Sequence, residues 1–219
     1  MVAPMAAPDE SARRAEVMRV FDRYLVEVVE AYDLCPWARG ARQGGEVAVE
    51  VVWGTPSEDA WGAAAEALLA REATRVAMVI APELVVTPAE LRAVRDRVAA
   101  RIPVAGVAEF HPEAALDLAS PARLVPFVRR APDPLLQLVP LAILDAVRAA
   151  PPAATLATQA QMLGGRATAP RADVADRIAA TNHATVSRAH TAIEATLDAI
   201  AADRAASYAR VGISGSRRP

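Results

Sequence analysis

The stretch "RVAMVIAPELVVTPAELRAVRDRVAARIPVAGVAEF", residues 75 to 110, decides the fold. Its first part, "RVAMVIA", is almost continuously apolar and short, which is the pattern of a strand buried on both faces. "TPAE" at 87 to 90 starts a helix: Thr87 is the N-cap, Pro88 takes the first helical position and Glu90 closes a capping box. That helix runs to about Arg101, and "VAGVAEF" is a further strand ending at Phe110. Upstream, "EVAVEVVW" at 46 to 53 places Val47, Val49, Val51 and Trp53 on one face of a strand. Ser57 caps a helix through about Ala70, with Trp61, Leu68 and Leu69 as apolar contacts. The order is β–α–β–α–β with short connections. It predicts an α/β fold with a small, three-stranded, largely parallel sheet, right-handed crossovers, flanking helices and a helical C-terminal region. Such sheets carry their reactive crevice beyond the carboxyl ends of the strands, and His111 sits at that edge.

Outward from this core, Val17, Phe21, Tyr24, Val28 and Tyr32 recur at helical spacing. They predict a helix from Asp9 or Ser11 to about Asp33, ended by Pro36, which excludes helical geometry at Cys35. Residues 111 to 140 space six prolines through short helical fragments. This pattern predicts a cover over the sheet edge and no central strand. Residues 1–148 therefore form the core and its cover, and 149–171 a linker or insertion with one short helix closed by Gly164 and Gly165. A long helix follows over 172–210, packing on the core or on a partner subunit, then a flexible tail over 211–219. On that helix Val174, Ile178, Val186, Ala189, Ile193, Leu197 and Ile200 form one stripe, with Asn182 at its centre. A buried carboxamide there needs a polar partner. A helix of this length extends about 50 Å, further than a compact domain readily covers, so it also predicts a homodimer.

Composition narrows the chemistry. The 219 residues are 53% hydrophobic and 23% charged, the balance of a soluble globular protein, and the net charge of −2 carries no footprint for nucleic acid or an anionic membrane. No apolar run is long enough to span a bilayer, and the N-terminus lacks the pattern of a secretory signal. With one cysteine and no internal disulfide, the expected location is cytoplasmic. All 24 basic residues are arginine. Without lysine the chain forms no Schiff base with pyridoxal phosphate and carries no P-loop lysine. The single cysteine likewise excludes all-cysteine iron–sulfur cages and Cys₄ zinc within one chain.

The candidate chemistry gathers on a few residues. Cys35 in "DLCPWARG" is a nucleophilic or redox thiol, a ligand, or a small apolar filler. The end of the preceding helix disfavours a thiolate, so a reactive form needs a cation such as His111, Arg130, Arg39 or Arg42. His111, held by Pro112, suits acid–base work or caps its strand. The order Cys35, His111, Asn182 is that of a cysteine–histidine–asparagine site in which the amide orients the imidazole. Arg130 is a substrate-anion clamp or an ion-pair partner of Asp133 or Glu113. His183, His190 and Glu194 share a helix flank with metal-ligand spacing, although Ser187 and Asp198 on the same flank favour a solvated face. Cys35–Pro36 is also a dipeptide of thiolate haem sites, with Trp37 to line the pocket, although no cofactor is required by the sequence.

"LCPWA", "EFHP", "RRAPDPLLQL" and "IAATNHATV", in that order around a βαβαβ core, resemble the uncharacterised bacterial family catalogued as domain of unknown function 1415. The resemblance covers roughly residues 15 to 190 and places Cys35 and Pro36, Phe110 to Pro112, Arg130 with Pro132 and Pro134, and Asn182 on the family's motif positions. Arg129 stands where the family has asparagine, and Gln137 where it has histidine, which marks a divergent member. The family implies no settled reaction. Together these readings predict an enzyme, a cysteine-dependent hydrolase, transferase or oxidoreductase, acting on a small anionic molecule. Cys35, His111 and Asn182 are its catalytic candidates, and Arg130, Trp37, Arg129 and Gln137 its substrate-binding candidates. The alternatives are a haem- or metal-binding protein and a noncatalytic, self-associating module.

Overall fold

A computed structural model describes residues 9–149 and 174–214. The expected linker over 149–171, with Gly164 and Gly165, lies outside the described residues apart from its first, as does the tail beyond Ser214. The elements are α1 (Glu10–Tyr24), a π-helical continuation (Leu25–Glu30), α2 (Ala38–Gln43), β1 (Val47–Val51), α3 (Glu58–Leu69), β2 (Val76–Ile80) and α4 (Pro88–Arg101). They continue with β3 (Ala105–Phe110), α5 (Pro121–Val128), β4 (Leu135–Pro140), α6 (Leu141–Ala149) and α7 (Val174–Arg210). The fold is α/β, and the Thr87–Glu90 capping box and the Ser57 cap are both formed.

The sheet differs from the expectation. It has four strands in the order β1-β2-β4-β3, and β1 is parallel to β2 while β4 runs antiparallel to both β2 and β3. The added strand comes from the proline-rich segment, which the proline count had ruled out as a central strand. Its prolines bracket the strand without interrupting it. Pro134 precedes β4 and Pro140 is its last residue, opposite Ala105, so Leu135 to Val139 keep every N–H for the ladder. Leu136 and Leu138 pack with Trp61, Leu68, Leu91 and Val98 on the α3–α4 side. Leu135 belongs to the other core, where Val17, Phe21, Leu124, Val186 and Ile193 meet the sheet. The strand is thus buried on both faces, and it fills the gap between β2 and β3 where a parallel sheet would hold its crevice.

The first helix also departs from expectation. It widens after Tyr24 into i→i+5 bonding, Ala31 N to Val26 O at 3.2 Å and Leu34 N to Val29 O at 2.9 Å. The chain then leaves the helix at Asp33, whose φ of 50° is left-handed, two residues before Cys35. Pro36 is not the terminator.

α7 lays its apolar stripe against α1 and α5 of the same chain, with Val186, Ile193, Leu197 and Ile200 buried there. Among the described residues, no large hydrophobic side chain of α7 is exposed, so its apolar stripe is covered within the chain. No described helix is long and apolar enough to cross a membrane.

On the α1–α7 seam Asp203 accepts from Arg19 at 2.7 and 3.0 Å and from Arg23 at 2.6 Å. These hydrogen bonds hold its carboxyl at about 2, below the usual aspartate value of 3.8. A depressed folded value contributes stability that is present above 3.8 and lost as the pH falls through about 2. Asp203 is 26% exposed, so solvent screening reduces the contribution to about 1 kcal/mol. Asp203→Asn should therefore lower urea stability at neutral pH by that amount, with the deficit vanishing between pH values of about 4 and 2. A deficit independent of pH would show that packing, not charge, holds this seam.

Candidate functional site

The residues assigned to one site by the sequence separate into three places. Cys35 follows Leu34 out of the helix and enters a turn in which its carbonyl accepts from Ala38 N at 3.1 Å. It lines a cavity of about 370 Å³ between the helical layer and the sheet. Val47, Val76 and Met78 form part of the floor, while Phe21, Tyr24 and Leu25 descend from above. Trp37, Arg129 and Gln137 line the same cavity, so three of the four substrate-binding candidates meet beside Cys35. The cavity lies over the first residues of β1 and β2, not beyond the carboxyl ends of the strands.

Its geometry follows from alternation along the strands. Leu135 and Gln137 share one face of β4, opposite to Leu136 and Leu138, and Gln137 pairs in register with Met78 and Ala108. A polar side chain is thereby set into an otherwise apolar floor. Arg129 caps the C-terminus of α5, and its guanidinium comes only to 4.0 Å of Glu109. Glu109 also serves Arg92 at 3.4 Å and Arg95 at 3.2 Å. Burial pushes the Arg129 pKa down; Glu109 opposes the shift and Arg95 adds to it. Arg95 also pairs with Asp96 at 3.3 Å, and among the residues lining the Cys35 cavity Arg129 is the one that carries a charge, which favours an anion there.

The Cys35 thiol is held above its ordinary pKa, first by burial and then by the charge of Asp33, with the N–H groups of Trp37 and Ala38 drawing it partly back. It is a protonated thiol at neutral pH. Tyr24 beside it is 2% exposed, and its hydroxyl has no hydrogen-bond partner among the described residues. Burial and then the neighbouring Cys35 raise the phenol pKa, so it too stays protonated.

His111 does not join them. It lines a different cavity, with Pro88, Arg92, Glu109 and Glu113. Nδ1 accepts from Glu113 N at 3.0 Å, and Nε2 lies 2.9 Å from the carbonyl of Val86, which fixes the proton on Nε2. Both ring nitrogens are committed to backbone, so the imidazole closes the turn after β3 and offers no base to Cys35. Asn182 likewise orients no imidazole. Its Nδ2 donates to Leu34 O at 3.0 Å, which is the polar partner its place on the stripe required, and it fastens the Cys35 turn to α7. Arg130, the expected anion clamp, donates from Nε to Pro112 O at 3.1 Å and faces Glu194 at 3.9 Å and Asp198 at 3.7 Å. It ties the loop before β4 to α7.

The metal alternative separates as well. His183 Nε2 pairs with Leu118 O at 2.9 Å, Glu194 faces Arg130, and His190 keeps a buried, unpartnered Nδ1. Among the described residues no group of three His, Cys, Asp or Glu side chains could hold a metal ion. Among those lining the Cys35 cavity there is no histidine to serve with the thiolate as a second haem ligand.

Two contributors were missed from the sequence. Tyr24 stands on a buried helical face, a position that carries no signal that its hydroxyl lacks a partner among the described residues. Glu30 accepts from Arg42 at 2.6 and 3.1 Å and so anchors α2 and the Cys35 turn against the π-helical segment. The Glu30-to-Arg42 spacing crosses a turn whose shape the sequence does not specify. No protein-family model, no curated protein and no solved structure matches the chain.

Proposed function

We propose that this protein binds, and presents a thiol to, a small amphipathic acid. The apolar body of the ligand occupies the cavity between α1 and the sheet, its anionic head pairs with Arg129 beside Gln137, and Cys35 stands along it. The observation that carries this reading is the convergence of Cys35, Trp37, Arg129 and Gln137 on one largely apolar cavity of about 370 Å³, within the size range of small-molecule sites. The ordered motifs around the cavity support placing the chain with the domain of unknown function 1415 family as a divergent member. A thiol kept protonated, with no imidazole in reach, fits reversible handling of a bound molecule better than a standing thiolate nucleophile. Any cysteine-dependent turnover has to draw its base from the ligand or from solvent.

Calorimetric titration of the full chain with straight carboxylates of four to twelve carbons tests the proposal. Each methylene entering the cavity contributes about 0.8 kcal/mol, about fourfold in affinity, until the cavity is full and the series levels off. Arg129→Gln should weaken the best member at least tenfold, and the matching alcohol should bind no better than that variant. Because Cys35 is the sole cysteine, its protection from iodoacetamide gives an independent reading of occupancy. A flat, unsaturable series, or an affinity indifferent to Arg129, would sink the idea.

A further inference from the structure

We infer that Tyr24 determines specificity in this site, by selecting an acid that carries a carbonyl oxygen within its apolar part, an oxo acid in preference to a plain one. The inference rests on the reading above, since it names the ligand class of the same cavity. Tyr24 sits at the last position of α1, buried to within 2% of its surface, and lines the cavity beside Cys35. Its ring is held by Phe21 at a centroid distance of 6.3 Å. The other fully buried tyrosine, Tyr208, donates to Asp133 at 2.6 Å, as a phenol taken out of water ordinarily must. The Tyr24 hydroxyl donates to nothing among the described residues.

The surroundings explain why the ligand has to supply the acceptor. The side chains of Leu25, Val29, Val47, Val76 and Met78 carry no oxygen, and no backbone carbonyl or Gln137 amide among the described residues reaches the hydroxyl in a hydrogen bond. Burial keeps the phenol protonated, so the group is a donor at any physiological pH. A donor fixed in an apolar wall favours a neutral acceptor such as a ketone or aldehyde oxygen. The opposite charge preference resides at Arg129. Two fixed points with different demands, a cation at one part of the lining and a neutral donor at another, define a ligand with an acid group and a separate carbonyl. Sites built to hydrogen-bond a ligand group reject analogues that lack it far more strongly than apolar pockets reject a change of size.

The experiment compares octanoate with four isomeric oxo-octanoates, bearing a ketone or aldehyde carbonyl at C4, C5, C6 or C8, titrated calorimetrically into the full chain. At least one isomer should bind tenfold or more tightly than octanoate, and Tyr24→Phe should bring that isomer down to octanoate's affinity. In the unsubstituted protein, the infrared carbonyl stretch of the bound isomer should move to lower wavenumber than in an alkane solvent, a reading independent of whether the variant folds. If octanoate binds and no isomer exceeds it, or the preference survives Tyr24→Phe, or the stretch is unshifted, the role of Tyr24 is overturned while the amphipathic-acid site stands. If neither octanoate nor any isomer binds, the site itself falls and the inference with it.

Discussion

Asp133→Ala should lower the stability of this protein by about 3–5 kcal/mol, the cost of removing one partner from a buried ion pair. Asp133 is 1% exposed, and its two oxygens accept from Arg204 Nε at 2.6 Å and from the Tyr208 hydroxyl at 2.6 Å. Arg204 in turn donates to the carbonyl of Pro82 at 2.8 Å and lies over the Tyr208 ring, 4.5 Å from its centroid. The network joins the loop after β2, the segment before β4 and the far end of α7, so its loss disconnects the central strand from the helix that covers it. Alanine removes the carboxylate to which both Arg204 and Tyr208 donate, in a place where little water can replace it. In a chain of this size the loss corresponds to a drop in Tm of roughly 6–20 °C. Tyr208→Phe, which removes one hydrogen bond and leaves the ion pair, should cost about 1–2 kcal/mol. The paired substitution Asp133→Leu with Arg204→Met should recover much of the alanine loss, because it removes both buried charges together. Urea denaturation of the three variants decides the matter; an Asp133→Ala loss under 1 kcal/mol would mean that the network is not what holds β4 to α7.

Glu30→Ala should act on the cavity itself. The Glu30 carboxylate is buried, and besides Arg42 it meets Arg39 Nε at 3.5 Å, so one side chain gathers both arginines of α2. Its removal costs about 1.5–3 kcal/mol for the charge-assisted bonds, and it frees the turn that carries Cys35. We expect iodoacetamide labelling of Cys35 to quicken at least tenfold, with stability falling by the stated amount. Arg42, and then Arg39, hold the Glu30 carboxyl below the usual glutamate range. Such a group contributes fully above an ordinary value of 4.5 and loses that contribution as the pH falls through its depressed folded value. The two proteins should therefore converge in acid. Unchanged labelling in Glu30→Ala would show that the Glu30 bonds do not hold the Cys35 turn, and Asn182→Ala would then become the variant to expose it.

The site was legible in part, and the division is physical. Cys35, Trp37, Arg129 and Gln137 were identified from type and motif, and they share one cavity. Cys35, His111 and Asn182 were joined by their order along the chain, but order carries no distance. His111 turned inward to close the Pro112 turn, and Asn182 bonded to Leu34, because buried polar groups take the nearest backbone partner available. Arg130 and Asp133 are near enough in sequence to pair, yet Asp133 is bound to Arg204, 71 residues away. No local pattern could have selected that partner.

The sequence by itself determined the α/β class, the caps of α3 and α4, the strand periods of β1 and β2, and the buried stripe of α7. These are properties of neighbouring residues, since periodicity and capping act within a turn or two of the chain. Only the tertiary structure decided that β4 would enter the middle of the sheet, because strand pairing is made with residues distant in sequence and rewards burial on both faces regardless of flanking prolines. The same packing set the cavity lined by Cys35 over the first residues of β1 and β2, apart from the one at the end of β3 that holds His111. The cavity beside Cys35 is therefore a consequence of packing, and its chemistry follows from which side chains that packing leaves facing it.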